Sequence, residues 1–166
     1  SAALSSCHEI VPVAWYSNNC LARSSRGSES FVASSLRMFT VDQLVAHGVG
    51  DYLLQSEWMA REKTKRSLAA AVHCIFYVLP FLFITQNPLT LAVIGGTHFI
   101  IDRWHLARYV AWIKNRPWPG GRPWSECSAT GFDPDTPPWV AGWLVVIIDN
   151  LIHILINGLA ITYIGT

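Results

Sequence analysis

The sequence predicts an all-α protein, an integral membrane bundle of about four helices, at least three of which span the bilayer. Hydrophobic residues make up 51% of the 166 residues and charged residues only 14%, against roughly 25% in an ordinary soluble domain. Several stretches approach the length of about 20 apolar residues that crosses a membrane. The eight Trp residues agree with this class, because Trp favours the membrane–water interface.

The first 37 residues differ in character from the rest of the chain. They are rich in Ser and have neither helical nor strand periodicity, so we expect a disordered extension at 1–37 and a membrane helical domain at 38–166. The four Cys residues form no CxxC pair, which argues against a thiolate zinc site. A net charge of +1 gives no reason to expect a nucleic-acid partner.

Four helices follow in order, separated by recognisable breaks. The first is only partly apolar, and Asn87-Pro88 marks a turn between the second and the third. The fourth is the clearest spanning segment. A Pro- and Gly-rich surface loop at 115–137 carries Trp118 and Trp124 and is expected to rest on the membrane. The predicted bounds are about 40–60, 67–85, 89–115 and 138–164.

Basic residues predict the orientation of the bundle. One cluster follows the first helix and another follows the third, whereas the turn at 86–88 has none. If the second and third helices each cross once, both clusters lie on the same side, which the positive-inside rule places in the cytoplasm. The residues are Arg61, Lys63, Lys65, Arg66, Lys114, Arg116 and Arg122.

Ionisable residues recur inside these apolar helices at a helical spacing. Three helices carry a His and an Asp four positions apart, which places both on one face. At 1.5 Å per residue, all of them fall in one layer toward the cytoplasmic side. We therefore predict a site for one or two divalent metal ions, zinc in the first instance or else manganese or iron. The predicted ligands are His47, Asp51, His73, His98, Asp102, Asp149 and His153.

Charge favours this interpretation, because three carboxylates in a bilayer need compensation. An ionised Asp at the bilayer centre costs about 2.5–3.5 kcal/mol, and Arg103 is the one basic residue that the sequence places in the same layer. A divalent cation is the simplest compensating charge. Two alternatives stay open: a metal-free network of Asp–His hydrogen bonds that joins the helices, and a proton or metal path across the membrane.

The motifs resemble a known family. AHGVGDYLLQSEWMAREK, the single His73, GTHFIIDRWH and TPPWVAGWLVVIIDNLIHILIN together resemble the phage and bacterial membrane proteins grouped as domain of unknown function 3307. The resemblance covers about 38–166 and implies a phage or bacterial inner-membrane setting. A looser similarity, to metal-dependent hydrolases of the inner membrane, implies a His- and Asp-bound metal site on membrane helices.

The function predicted from this pattern is metal-dependent hydrolysis of a phosphoester or a lipid-linked substrate near the cytoplasmic interface. Asp51, Asp102 and Asp149 are the candidate catalytic residues, and Arg103 and Gln55 are candidates for substrate binding. Membrane lipid is the expected partner, with a second membrane protein or a second copy of the chain as further possibilities. The alternative is a non-enzymatic phage membrane protein, active in lysis control or exclusion, whose His/Asp cluster is structural.

Overall fold

A computed structural model describes residues 39–165 as helices joined by short turns, with no β-strand in that range. The extension predicted at 1–37 lies outside the described residues. A π-helical turn, Val49–Leu53, follows the first α-helix, and a 3-10 helix, Leu79–Phe83, follows the third. The α-helices are α1 Val41–Gly48, α2 Glu57–Glu62, α3 Ser67–Val78, α4 Pro88–Trp104, α5 Ala107–Asn115, α6 Trp124–Cys127 and α7 Pro138–Tyr163.

Side-chain caps explain where several helices begin. The hydroxyls of Thr40 and Ser56 accept hydrogen bonds from backbone N–H groups in the first turns of α1 and α2. Asn87 accepts from two N–H groups at the start of α4, whose first residue is Pro88. Pro138 opens α7 in the same way. Of the α-helices that carry the polar cluster, α4 therefore begins at a side-chain cap, whereas α3 and α7 have none.

The helices close into a ring around that cluster. Helix α3 packs along α4, and α4 packs along α7. Helix α7 also contacts α1 and α5, while α1 and its π-helical turn pack against α3 and the 3-10 helix. One of two apolar clusters in the interior is formed by Tyr77, Phe81 and Ile94 together with Ala46 and Ala160. Because four elements converge, residues far apart in sequence meet in the interior.

The segment predicted as one helix over 40–60 consists of three pieces. Helix α1 ends at Gly48 and continues as the π-helical turn, in which Leu54 N–H donates to the carbonyl of Val49 at 2.9 Å. The chain then leaves the helix and restarts as α2 behind the Ser56 cap. No uninterrupted first helix is therefore present.

The predicted third helix, 89–115, is also divided, at His105. This residue has φ 52° and ψ 52°, a left-handed conformation that ends α4. Leu106 N–H donates to the carbonyl of Ile101, and His105 N–H donates to that of Asp102, as in a Schellman motif. Helix α5 then begins at Ala107. The sequence prediction was wrong here because the break carries no Gly or Pro.

The sequence predicts at least three spanning helices, but in the described part of the chain only one helix is long and apolar enough to span a membrane. Helix α7, with 26 residues, is long and apolar enough to cross a membrane by length and composition. The apolar run Ser67–Phe83 is shorter, and α4 has 17 residues and ends with Asp102 and Arg103. The predicted loop at 115–137 is irregular except for the short helix α6.

Candidate metal centre

Six polar residues from four elements meet at one end of the bundle. The π-helical turn contributes Asp51 and α3 contributes His73. Helices α4 and α7 each contribute a His and an Asp one turn apart, and these residues form two groups whose ligand-type atoms lie within 4.8 Å of one another. The first group is Asp51, His73, His98 and Asp102, and the second is Asp51, Asp149 and His153.

The first group is buried and compact. His73 Nε2 lies 3.1 Å from Asp51 Oδ1 and 3.2 Å from Asp102 Oδ2. His98 Nε2 lies 3.1 Å from Asp102 Oδ2, 3.7 Å from Asp51 Oδ1 and 2.9 Å from His73 Nε2. The Tyr77 ring stacks on His98 with 3.5 Å between the ring centroids and limits the orientations of that imidazole. Four ligand-type atoms thus converge on one small volume.

These distances fit the geometry of a tetrahedral metal site. Zinc binds imidazole nitrogen and carboxylate oxygen at about 2.0–2.1 Å, so neighbouring ligand atoms in a tetrahedron are roughly 3.3 Å apart. The five measured distances run from 2.9 to 3.7 Å. Two imidazoles and two carboxylates also form a donor set that suits Zn²⁺, Mn²⁺ or Fe²⁺. The first group therefore has the spacing and chemistry to hold one such ion.

The second group shares Asp51 with the first. His153 Nδ1–H donates to the backbone carbonyl of Asp149 at 2.8 Å, which leaves Nε2 as the ring nitrogen with a lone pair. That Nε2 is buried and has no hydrogen-bond partner within residues 39–165. A backbone carbonyl that orients the far nitrogen is the usual support of a metal-binding His. Asp51 belongs to both groups, so its carboxylate could contribute to an ion in either one.

His47, the remaining predicted ligand, lies in neither group. Its Nδ1 accepts from the hydroxyl of Tyr77 at 2.9 Å, and its Nε2–H donates to Asn150 Oδ1 at 2.7 Å. Its distance to Asp51 Oδ2 is 3.9 Å. Both ring nitrogens therefore contact neutral partners, and the structure places His47 beside the ligand groups rather than in them.

Lys63 reaches into the first group, which the sequence analysis did not foresee. Its Nζ lies 2.9 Å from Asp102 Oδ2, 3.7 Å from Asp51 Oδ1 and 3.5 Å from His73 Nε2. Burial lowers the pKa of Lys63, but the carboxylates of Asp102 and Asp51 outweigh this and raise it above its ordinary value. One of the basic residues that follow the predicted first helix, Lys63, thus carries its charge into the interior.

A cleft of about 340 Å³ opens onto this cluster. All three predicted catalytic carboxylates line it, together with Lys63 and Gln55. The Oε1 atom of Gln55 is buried and has no hydrogen-bond partner in the described part of the chain. The side chains of Asp102, Asp51 and Asp149 are 2%, 6% and 20% exposed, respectively, so Asp149 has the most access to the cleft.

Arg103, predicted to contact substrate, belongs to α4 and contacts the turn between α2 and α3. Its Nη1 donates to the carbonyl of Thr64 at 2.8 Å, and its Nε donates to the hydroxyl of Ser67 at 3.2 Å. One bond thus holds the backbone next to Lys63, and the other holds the first residue of α3. Arg103 is not among the residues that line the cleft.

Comparison with known proteins identifies a family but no characterised relative. The family model described as "Protein of unknown function (DUF3307)" matches residues 39–164. No curated protein and no solved structure matches the chain. The match covers every residue of the two ligand groups, the cleft and Lys63.

Proposed function

This chain belongs to the DUF3307 family, and we propose that it is a metal-dependent membrane hydrolase that cleaves a phosphoester or a lipid-linked substrate. One observation carries the proposal. The carboxylates of Asp51, Asp102 and Asp149 line a single open cleft, and His73 and His98 complete a four-residue group with the first two of them. A ligand set that opens onto a cavity is typical of catalytic metal sites, whereas structural sites are closed.

The surface of the helices supports a membrane location. In helix α7, 28% of the apolar window is buried inside the protein, much less than in the core helix of a soluble domain. Its outward face presents Ile147, Leu151 and Leu155 at a four-residue spacing. Helix α3 and its 3-10 extension expose Leu68, Ile75 and Phe83. We place α3 and α4 in the same bilayer as α7, with the cleft near the basic α2–α3 turn.

The proposed chemistry assigns a role to each group around the cleft. A divalent ion, when bound, supplies a water of lowered pKa and stabilises charge on the reacting oxygens. Asp149 has the most exposed of the three carboxylates and is the candidate general base. Gln55 lies at the cleft with a free amide oxygen and can orient the substrate. His73 and His98 are the fully buried ligands of the first group.

Metal content tests whether the protein binds a divalent ion, as the proposal requires. We expect detergent-purified protein to hold about one to two equivalents of zinc, manganese or iron by mass spectrometry, and Asp102→Asn to lose most of it, because Asp102 belongs to the inner set. Asp135→Asn, which removes an exposed carboxylate far from the cluster, is the matched control and should retain the metal. A stable wild-type protein that takes up none of these metals would contradict the proposal.

A hydrolysis assay tests the proposed activity. We expect the metal-loaded protein to cleave at least one member of a panel of phosphomonoesters, phosphodiesters and phospholipids. Asp149→Asn should retain metal in the first group but lose at least about 100-fold in rate, the usual contribution of a general base. Metal-loaded protein that cleaves none of these substrates would leave a metal site without the proposed activity.

The ion pair of Lys63 with Asp102 favours a second candidate function. A Lys that neutralises the buried carboxylates makes a metal-free polar cluster feasible, one that joins the helices of a non-enzymatic membrane protein. In that case Asp102→Asn would lower the stability of a protein that holds no metal in either form. The metal measurement therefore separates the two candidates.

A further inference from the structure

The Lys63 ammonium lies directly beside the position where an ion of the first group would bind. Its ammonium contacts the ligand-type atoms of Asp102, Asp51 and His73 within 3.7 Å. These are three of the four atoms that form the tetrahedral set. An ammonium in contact with these atoms competes with a metal ion for the same lone pairs, and the two positive charges repel.

We infer that Lys63 is a tethered cation that pairs with the ligands of the first metal position in the metal-free protein and moves into the cleft when a divalent ion binds. This inference rests on the proposed function, since it assumes that the first group takes a metal. The Lys63 side chain then has two effects. It keeps the buried carboxylates neutralised before metal binding, and it lowers the affinity of the site for the ion.

The structure provides room for the exchange. Lys63 is one of the residues that line the cleft, so rotation of its side chain places the ammonium there. The backbone next to it does not need to move, because Arg103 holds Thr64 and Ser67. In the cleft the ammonium would lie close to Asp149 and the oxygen of Gln55, both of which line the same space.

The charge balance explains why such a cation is needed. Asp51 and Asp102 are buried side by side, and leaving either without a positive partner would be strongly destabilising. Among the described residues, Lys63 is the Lys or Arg that pairs with them. The protein can therefore fold without metal, and the ion later replaces an existing partner.

The test compares zinc affinity in full-length detergent-purified protein, measured by titration calorimetry. Lys63→Met removes the competing charge and should lower the dissociation constant for zinc by about tenfold or more. Lys63→Arg keeps the charge and should bind zinc no more tightly than the wild type. Lys65→Met makes the same charge change on a side chain that is 67% exposed and paired with Glu62, and it should leave the affinity unchanged.

Thermal unfolding gives a second readout from the same proteins. Without metal, Lys63→Met should unfold at a lower temperature than the wild type, because two buried carboxylates lose their partner. Saturating zinc should raise its unfolding temperature by more than that of the wild type. If Lys63→Met does not fold, Lys63→Gln, which keeps two N–H donors, takes its place in both measurements.

The outcomes separate the inference from the proposed function. Equal zinc affinity in the wild type, Lys63→Met and Lys65→Met would overturn the inference and leave the metal site intact. Tighter binding by Lys63→Met without any hydrolysis would support the inference and contradict the proposed activity. Absence of zinc binding from all of these proteins would overturn both.

Discussion

A chain of hydrogen bonds around Tyr77 distinguishes His47 from the other histidines of the cluster. Asn157 Nδ2–H donates to the Tyr77 hydroxyl at 2.6 Å, and that hydroxyl donates to His47 Nδ1 at 2.9 Å. His47 Nε2–H then donates to Asn150, whose amide also contacts the Tyr52 hydroxyl. The chain links α7, α3 and α1 and returns to α7. It leaves no lone pair of His47 free for an ion, so its role is to hold the helices around the ligands.

Removing the Tyr77 hydroxyl tests this assignment. Tyr77→Phe leaves Asn157 Nδ2–H without its acceptor and His47 Nδ1 without its donor, so we expect the free energy of unfolding to fall by about 1–3 kcal/mol. The metal content should stay unchanged. The measurement is denaturant unfolding in detergent, followed by mass spectrometry of the metal.

Tyr109→Phe is the matched control, because the Tyr109 hydroxyl makes an exposed contact of 3.4 Å with Arg108. We expect it to change stability by less than about 0.5 kcal/mol. Loss of metal from Tyr77→Phe without loss of stability would show that this chain of hydrogen bonds serves the ligands directly and would contradict the assignment.

At the residue scale, the four-residue spacing of His and Asp allowed ligand residues to be predicted from the sequence, whereas nothing in the sequence predicted the inward position of Lys63. Residues one turn apart on a helix share a face whatever the fold, so the pairs on α4 and α7 could be placed together from the sequence. The contacts of Lys63 and His47 depend on partners 10 to 103 positions away. A basic residue between two helices also fits the positive-inside pattern, which concealed the inward position of Lys63.

At the scale of elements, the π-helical turn is the feature that brings Asp51 to the ligands. The wider turn shifts the side chains after Gly48 relative to an α-helix and presents Asp51 to α3. Close packing against α3 holds it there. A Cβ atom on Gly50 would lie 2.8 Å from Tyr77 Cδ2 and 2.9 Å from the Tyr77 backbone oxygen, so Gly is required at this position.

Gly50→Ala should therefore disturb both packing and the site. Because the nearest atoms include the α3 backbone, the turn must move away, and we expect a loss of about 1–3 kcal/mol in unfolding free energy. Asp51 moves with it, so metal affinity should fall as well. Unfolding in detergent and zinc titration measure the two effects.

Gly48→Ala, two residues earlier, has no atom within 4 Å of the new Cβ and serves as the control. We expect it to be neutral or stabilising by up to about 1 kcal/mol, because Ala favours the helix. If Gly50→Ala behaved like Gly48→Ala in both measurements, the close approach of the π-helical turn to α3 would not hold in solution.

Other elements explain which boundaries the sequence could predict. Pro88 and Pro138, with Asn87 as a cap, mark the starts of α4 and α7 clearly, and both helices begin there. The end of α4 has no such mark, because His105 takes a conformation that usually requires Gly. The π-helical turn differs from an α-helix by one residue per turn, which leaves the apolar pattern of the sequence almost unchanged.

At the scale of the whole molecule, a cluster of polar residues is buried beside the apolar core, and many large apolar residues lie on the surface. The buried set includes the four residues of the first ligand group, together with His47, His153 and Asn157. Exposed Leu, Ile, Phe and Trp side chains cover α3, α4 and α7. Composition was sufficient to predict helices and an apolar surface. Helix breaks after Gly48 and at His105 leave the apolar composition unchanged, so composition predicted at least three spanning helices where one helix within residues 39–165 is long and apolar enough.

A charge on the outward face of α7 tests the proposed membrane location. Leu151 lies at the middle of α7 and its side chain is 60% exposed. A Lys at the centre of a spanning helix costs about 2.5–3.5 kcal/mol of insertion free energy. We therefore expect Leu151→Lys to be depleted from the membrane fraction after alkaline extraction, whereas the wild type stays in it. Ser125→Lys, at an exposed position of α6, should be retained like the wild type. Recovery of wild-type protein in the soluble fraction without detergent would contradict the membrane location and assign the apolar face of α7 to a protein partner.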